Sequence, residues 1–178
     1  GKIIAGANSG LAYCYANWGY YLDMETDREL AFSLFNEEFA KNPQLKEYFL
    51  DTYLFLINRL NSSEAETKIM KELSAYEGKS DLSEKVLLSF VTWYTKFKNA
   101  KAKDYEAKLF EKYPKSEYFQ SKKYSAFKEA DLTNKIKIAT EFEKEYPGSE
   151  YIQSMFGRIL LEMIQQGKVE DAKQFGYK

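Results

Sequence analysis

The feature that most constrains this chain is a turn written twice. FEKYPKSEYFQS, Phe110 to Ser121, returns 33 positions later as EKEYPGSEYIQS, Glu143 to Ser154. Tyr113, Pro114, Ser116, Glu117, Tyr118, Gln120 and Ser121 recur as Tyr146, Pro147, Ser149, Glu150, Tyr151, Gln153 and Ser154. A proline ends a helix by withholding an N–H donor, and a serine two positions on offers its oxygen to the bare N–H groups of the next helix. Such a corner, repeated at one interval, sets the angle between successive pairs of helices, each of which leaves an apolar face bare until the next pair covers it. A looser copy, FAKNPQLKEYF, surrounds Pro43, which lies 71 positions before Pro114, close to two intervals.

The punctuation between these corners predicts helices throughout. Thr26-x-x-Glu29 reads as a capping box opening a helix with Leu30, Ala31, Leu34 and Phe35 on its apolar side, ended by Asn42-Pro43. A single helix is expected from about Gln44 to Leu60, then one capped by Ser63-x-x-Glu66 and stopped near Gly78. Asp81-x-x-Glu84 begins another, and a lysine-rich helix follows from about Asn99 to Tyr113. Ser116, then Asp131 or Thr133, then Ser149 cap the next three, and GKVEDAKQFGYK supplies a turn and a short last helix. No segment alternates as a half-buried strand does. The expectation is all-α: about ten helices forming five hairpins, one every 35 or 36 residues, in a right-handed α-solenoid. Residues 1–178 are expected to form a single helical-repeat domain, and the opening Gly1 reads as a tag scar or an internal cut in a longer chain.

Residues Ile3 to Leu22 carry no charge, but Asn8, Ser9, Asn17 and several tyrosines and glycines make the stretch a poor membrane span. It is expected to be a buried helix, and no transmembrane segment is expected. Cys14, the only cysteine, is expected to be a small buried apolar side chain.

Composition narrows the chemistry. Histidine is absent, which removes the commonest general base and transition-metal ligand. A lone thiol makes no internal disulfide. Glu37 and Glu38 are adjacent, hence about 100° apart on a helix, and cannot share one reacting atom. The glycines of GKIIAGANSG match no phosphate-binding loop. No catalytic residue, metal ligand or cofactor is expected, and the chain is not expected to be an enzyme. The net charge is −1, and of 26 basic residues only Arg28, Arg59 and Arg158 are arginine, which argues against nucleic acid. The run from Lys96 to Lys128 holds ten lysines against four acids and reads as a solvated helix face whose lysine stems cover apolar surface.

Aromatic residues make up 17% of the chain, mostly explained as filling between stacked helices. In such a stack the first helix of each pair lines an inner groove. Tyr13, Tyr20, Met24, Tyr94, Tyr124 and Phe127 fall near that face and are the candidate groove residues, suited to an extended or helical peptide.

The arrangement resembles the tetratricopeptide repeat. In the first copy Tyr15 and Trp18 stand as the aromatic-apolar pair, Gly19 at the close helix crossing, then Leu22, with Ala31 and Phe35 in the second helix. Glu38 departs from the small residue usual there. GKVEDA, with Ala172, resembles the family's turn, whereas Phe90 and Lys123 stand near the small crossing position of the middle repeats. The pattern Phe142 to Tyr151, F-x-x-x-Y-P-x-S-x-Y, is similar to repeats of bacterial envelope proteins such as outer-membrane assembly lipoproteins. These likenesses imply a tetratricopeptide-like superhelix in the periplasm or cell envelope of a bacterium, binding a protein or peptide partner or positioning a neighbouring domain. The stretch from Gly6 to Pro43 also resembles helical regions that precede a thioredoxin-like domain in exported thiol-disulfide proteins. That likeness implies an accessory domain whose catalytic cysteine pair lies beyond Lys178.

Overall fold

A computed structural model describes residues 2–21, 24–60 and 63–176. Among them there are eleven helices and no strand. They are α1 (Lys2–Tyr21), α2 (Glu25–Lys41), α3 (Leu45–Tyr48), α4 (Leu50–Leu60), α5 (Ala65–Ser74), α6 (Glu84–Lys96), α7 (Ala102–Lys112), α8 (Glu117–Glu129), α9 (Leu132–Glu145), α10 (Tyr151–Gln165) and α11 (Val169–Gly176). Contacts divide the chain into two compact units, Gly1–Lys112 and Tyr113–Lys178.

In the first unit α1 packs on α2, α4 on α5 and α6 on α7, while α1 touches α4 and α4 touches α6. The buried stripe of α2 is Arg28, Ala31, Phe35, Glu38 and Phe39, the spacing of one helical face. Leu30 falls off that face and is exposed, and Leu34 is only half-buried. Rings fill the space between helices. Phe35 lies against Phe39, Phe49 and Tyr53, and Phe90 stacks flat on Tyr105 with centroids 3.9 Å apart while Tyr94 meets both edge-on.

Gly19 sits at the crossing of α1 and α2. A Cβ there would stand 2.5 Å from Arg28 Cγ and 3.1 Å from the Met24 carbonyl oxygen. Arg28 is buried and donates from Nη1 to the Gly19 carbonyl at 3.0 Å. The Trp18 side chain and Leu22 lie outside the described residues. Glu38 is buried, and Asn42 Nδ2 donates to its Oε1 at 2.6 Å, so the departure from a small residue is accommodated by a hydrogen bond.

The second unit encloses its own core of Phe127, Leu132, Ala139, Phe142, Tyr146, Met155, Ile159, Met163 and Ala172. There α8 packs on α9, α9 on α10 and α10 on α11, and α8 also touches α10.

Both copies of the repeated turn share two hydrogen bonds, although Ser116 caps α8 directly while α10 begins one residue later than expected, after Glu150 and without a side-chain cap. Ser116 N–H donates to the Tyr113 carbonyl at 2.9 Å and Ser149 N–H to the Tyr146 carbonyl at 3.0 Å. Ser116 Oγ accepts from Tyr118 N–H at 3.3 Å, and Ser149 Oγ from Tyr151 N–H at 3.4 Å. The backbones differ after the proline. Gly148 has φ +94°, as the third residue of a type II turn requires. Lys98 is the only non-glycine with positive φ among the described residues, so Lys115 turns in the ordinary right-handed sense.

Several expectations are corrected. Thr26, Ser63 and Asp81 do not cap. The helix entries lie at Met24, Glu64 and Ser83, none with a side-chain cap, and Asp81 accepts from Lys112 Nζ at 2.6 Å instead. Asp131 does cap α9, accepting from Asn134 N–H at 2.9 Å. The helix expected from Gln44 to Leu60 is broken at Phe49, where ψ turns to 18°. Among the α1 residues whose burial is described, the buried ones are Ala12, Ala16 and Gly19, on one face, and Cys14 is exposed. No helix among the described residues is long and apolar enough to cross a membrane.

Candidate functional site

The first helices of the hairpins carry a second stripe, opposite the one that packs on α4 and α6 and beside it on α1. On α4 it is Asp51, Phe55 and Arg59, four residues apart, and on α6 it is Lys85, Leu88, Ser89, Thr92 and Lys96. These two stripes, with Asn58 and the edge of Trp93, face one another across a cleft of about 790 Å³. On α1 the stripe is Tyr13, Ala16, Asn17 and Tyr20, which meets Asp51, Thr52 and Phe55 across a smaller cleft of about 260 Å³. Asp51 and Phe55 line both, so the clefts join along α4.

Tyr13 and Tyr20 are about half exposed, and the Tyr20 ring meets Phe55 edge-on at 5.4 Å. The cationic groups lie over rings: Arg59 over Phe55 at 5.4 Å, Lys96 over Trp93 at 4.8 Å, and Lys85 over Tyr48 at 3.8 Å. The result is an apolar floor with charged edges, a form suited to holding an extended chain.

The other expected groove residues stand elsewhere. Tyr94 is fully buried, and its hydroxyl donates to Glu77 Oε1 at 2.6 Å. Burial and the Glu77 carboxylate push that hydroxyl's pKa well up. Its neighbour Trp93 reaches the cleft instead, one residue and about 100° away on α6. Phe127 is fully buried in the second unit's core. Met24 is exposed at the entry to α2, away from the cleft lining. Tyr124 is half-buried between α8 and α10, stacked on Tyr151 at 4.8 Å and hydrogen-bonded to Ser154 Oγ at 2.7 Å. That hydrogen bond, with the positive Arg158 and Lys128 nearby, holds its hydroxyl below the usual tyrosine value. Near it, Lys128, Arg158 and Leu161 line a cleft of about 370 Å³. Phe55, Leu88 and Arg59 are the groove residues that sequence reasoning missed. The signal was present as polar-to-apolar spacing on α4 and α6, but fixing its phase needs the packed face.

The lysine-rich run is largely engaged. Lys101 pairs with Glu77, Lys112 with Asp81 and Lys123 with Glu145. Lys108, Lys122 and Lys128 lie over Tyr105, Tyr118 and Tyr124. No three His, Cys, Asp or Glu side chains among the described residues gather closely enough to hold a metal. The tyrosines most strongly raised, Tyr53, Tyr94 and Tyr146, are packed in cores, where burial is the leading cause.

No family model, curated protein or solved structure matches the chain.

Proposed function

We propose that this chain is a non-enzymatic helical-repeat scaffold that binds a protein or peptide partner along the groove of α1, α4 and α6, its hairpins stacked in the manner of a right-handed α-solenoid. The observation that carries the reading is the second stripe: outward apolar and aromatic side chains, Tyr13, Tyr20, Phe55 and Leu88, line connected clefts although the core is already filled from other faces of the same helices. Residence in a bacterial envelope belongs to the same proposal and rests on the likeness of the Tyr-Pro-x-Ser turn.

The test is selection from a random peptide library against the folded chain. Selected peptides should bind wild type and Glu66→Ala, an exposed position on α5, alike. They should lose about tenfold or more in affinity on Leu88→Glu or Tyr20→Ala, with circular dichroism unchanged. Binders indifferent to both groove substitutions, or no binders, would refute the proposal.

A further inference from the structure

We propose that the α4–α6 groove selects acidic linear peptides that also carry an apolar anchor. This rests on the reading of the groove as a peptide site and names the chemistry of its ligand.

Three cations, Arg59, Lys85 and Lys96, edge the groove against one carboxylate, Asp51, an excess of two positive charges in a chain whose net charge is −1. None of the three pairs with a carboxylate among the described residues. Lys96 Nζ donates to Asn58 Oδ1 at 2.7 Å, Lys85 Nζ to the Tyr48 carbonyl at 3.4 Å, and Arg59 lies over Phe55. Four other lysines of the same unit find acids: Lys46 with Glu72, Lys68 with Glu64, Lys101 with Glu77 and Lys112 with Asp81. In the groove three cations gather around one carboxylate, beside an apolar floor.

Arginine use points the same way. Of three arginines, Arg28 is buried under Gly19, and the other two stand in clefts between first helices. Arg158 and Lys128 flank Leu161, itself 56% exposed, in the second unit. Arginine beside exposed aromatic and aliphatic side chains is the composition of interface hot spots. The shape favours a peptide over a lipid surface or a nucleic acid. The cations line a concave cleft between two helices, and Asp51 on its wall opposes a continuous polyanion.

Fluorescence anisotropy with the full chain and three labelled peptides of about twelve residues tests this. One alternates Glu with Leu and Phe, one replaces Glu by Lys, and one keeps Glu but replaces the apolar residues by Ser. The acidic, anchored peptide should bind at least ~10-fold more tightly than either other. Its affinity should fall between about 50 and about 300 mM salt. The double charge reversal Arg59→Glu with Lys96→Glu should weaken it ~10-fold or more, while Arg59→Lys with Lys96→Arg retains it.

Equal or tighter binding of the basic peptide, sensitive to Leu88→Glu, would overturn the acid selectivity and leave the groove a peptide site. Equal binding of the anchorless peptide, or displacement by heparin with no loss on Leu88→Glu, would reduce the groove to a nonspecific anion surface and overturn the proposal. Binding of none of the three would overturn it together with the reading beneath it, if library selection also fails.

Discussion

Gly148 and Lys115 occupy the same place in two copies of one turn and adopt different backbones. At Gly148 no atom stands within 4 Å of where a Cβ would be, so a side chain fits; the obstacle is φ at +94°. Gly148→Ala should therefore cost about 1–2 kcal/mol, through backbone strain alone. For a chain of this length each 1 kcal/mol lowers Tm by about 2–4 °C in thermal denaturation. Lys115→Ala, at a residue that already turns in the ordinary sense, should stay within about 0.5 kcal/mol of wild type. Equal losses at both positions would show that the two corners are held the same way. The recurrence of Tyr, Pro and Ser announced the shared hydrogen bonds. It did not announce the difference, because the one position that varies within Tyr-Pro-x-Ser, Lys against Gly, is the one that selects the turn type.

At the scale of the helix, the punctuation carried by proline, Ser116 and Asp131 was legible in the sequence, while the patterns at Thr26, Ser63 and Asp81 misled. A hydroxyl or carboxylate three residues before a Glu arises often by chance in a charged chain. Here α2, α5 and α6 start at Met24, Glu64 and Ser83 without a side-chain cap. The groove was half legible for a related reason. Tyr13 and Tyr20 are placed by their own helix, but on α6 a shift of one residue exchanges Trp93 for Tyr94, and only the packed face of Phe90 against Tyr105 sets that phase.

The buried tyrosines give these helices a pH signature. Tyr53, whose hydroxyl donates to Asn36 Oδ1 at 2.6 Å, is pushed up to about 12 by burial and then by Glu72. Tyr146 is pushed up to about 12 by burial and then by Glu145. A folded-state pKa raised above the unfolded value of 10 means these groups stabilise fully below pH 10, with the contribution disappearing as pH climbs through about 12. The urea midpoint should drop steeply across that window, and the double variant Tyr53→Phe with Tyr146→Phe should show a shallower alkaline decline than wild type. An unchanged slope would mean the decline belongs to lysine deprotonation.

At the scale of the whole molecule, each helix makes its main contacts with helices one to three places along the chain within its own unit, so a core deletion should act on its neighbours first. Phe142, fully buried among α8, α9 and α10 residues, should cost about 3–5 kcal/mol when cut to Ala. Hydrogen exchange should show amides of α8 to α10 losing protection. Ile164→Ala, at a side chain 54% exposed on α10, should change them little. The exposure of Cys14 has a practical corollary for the whole chain. It is the only thiol among 178 residues, stands clear of the core, and neighbours Tyr13 on α1. One maleimide dye or nitroxide would thus attach at a single known address without mutagenesis, and its tumbling would slow when anything settles against that wall.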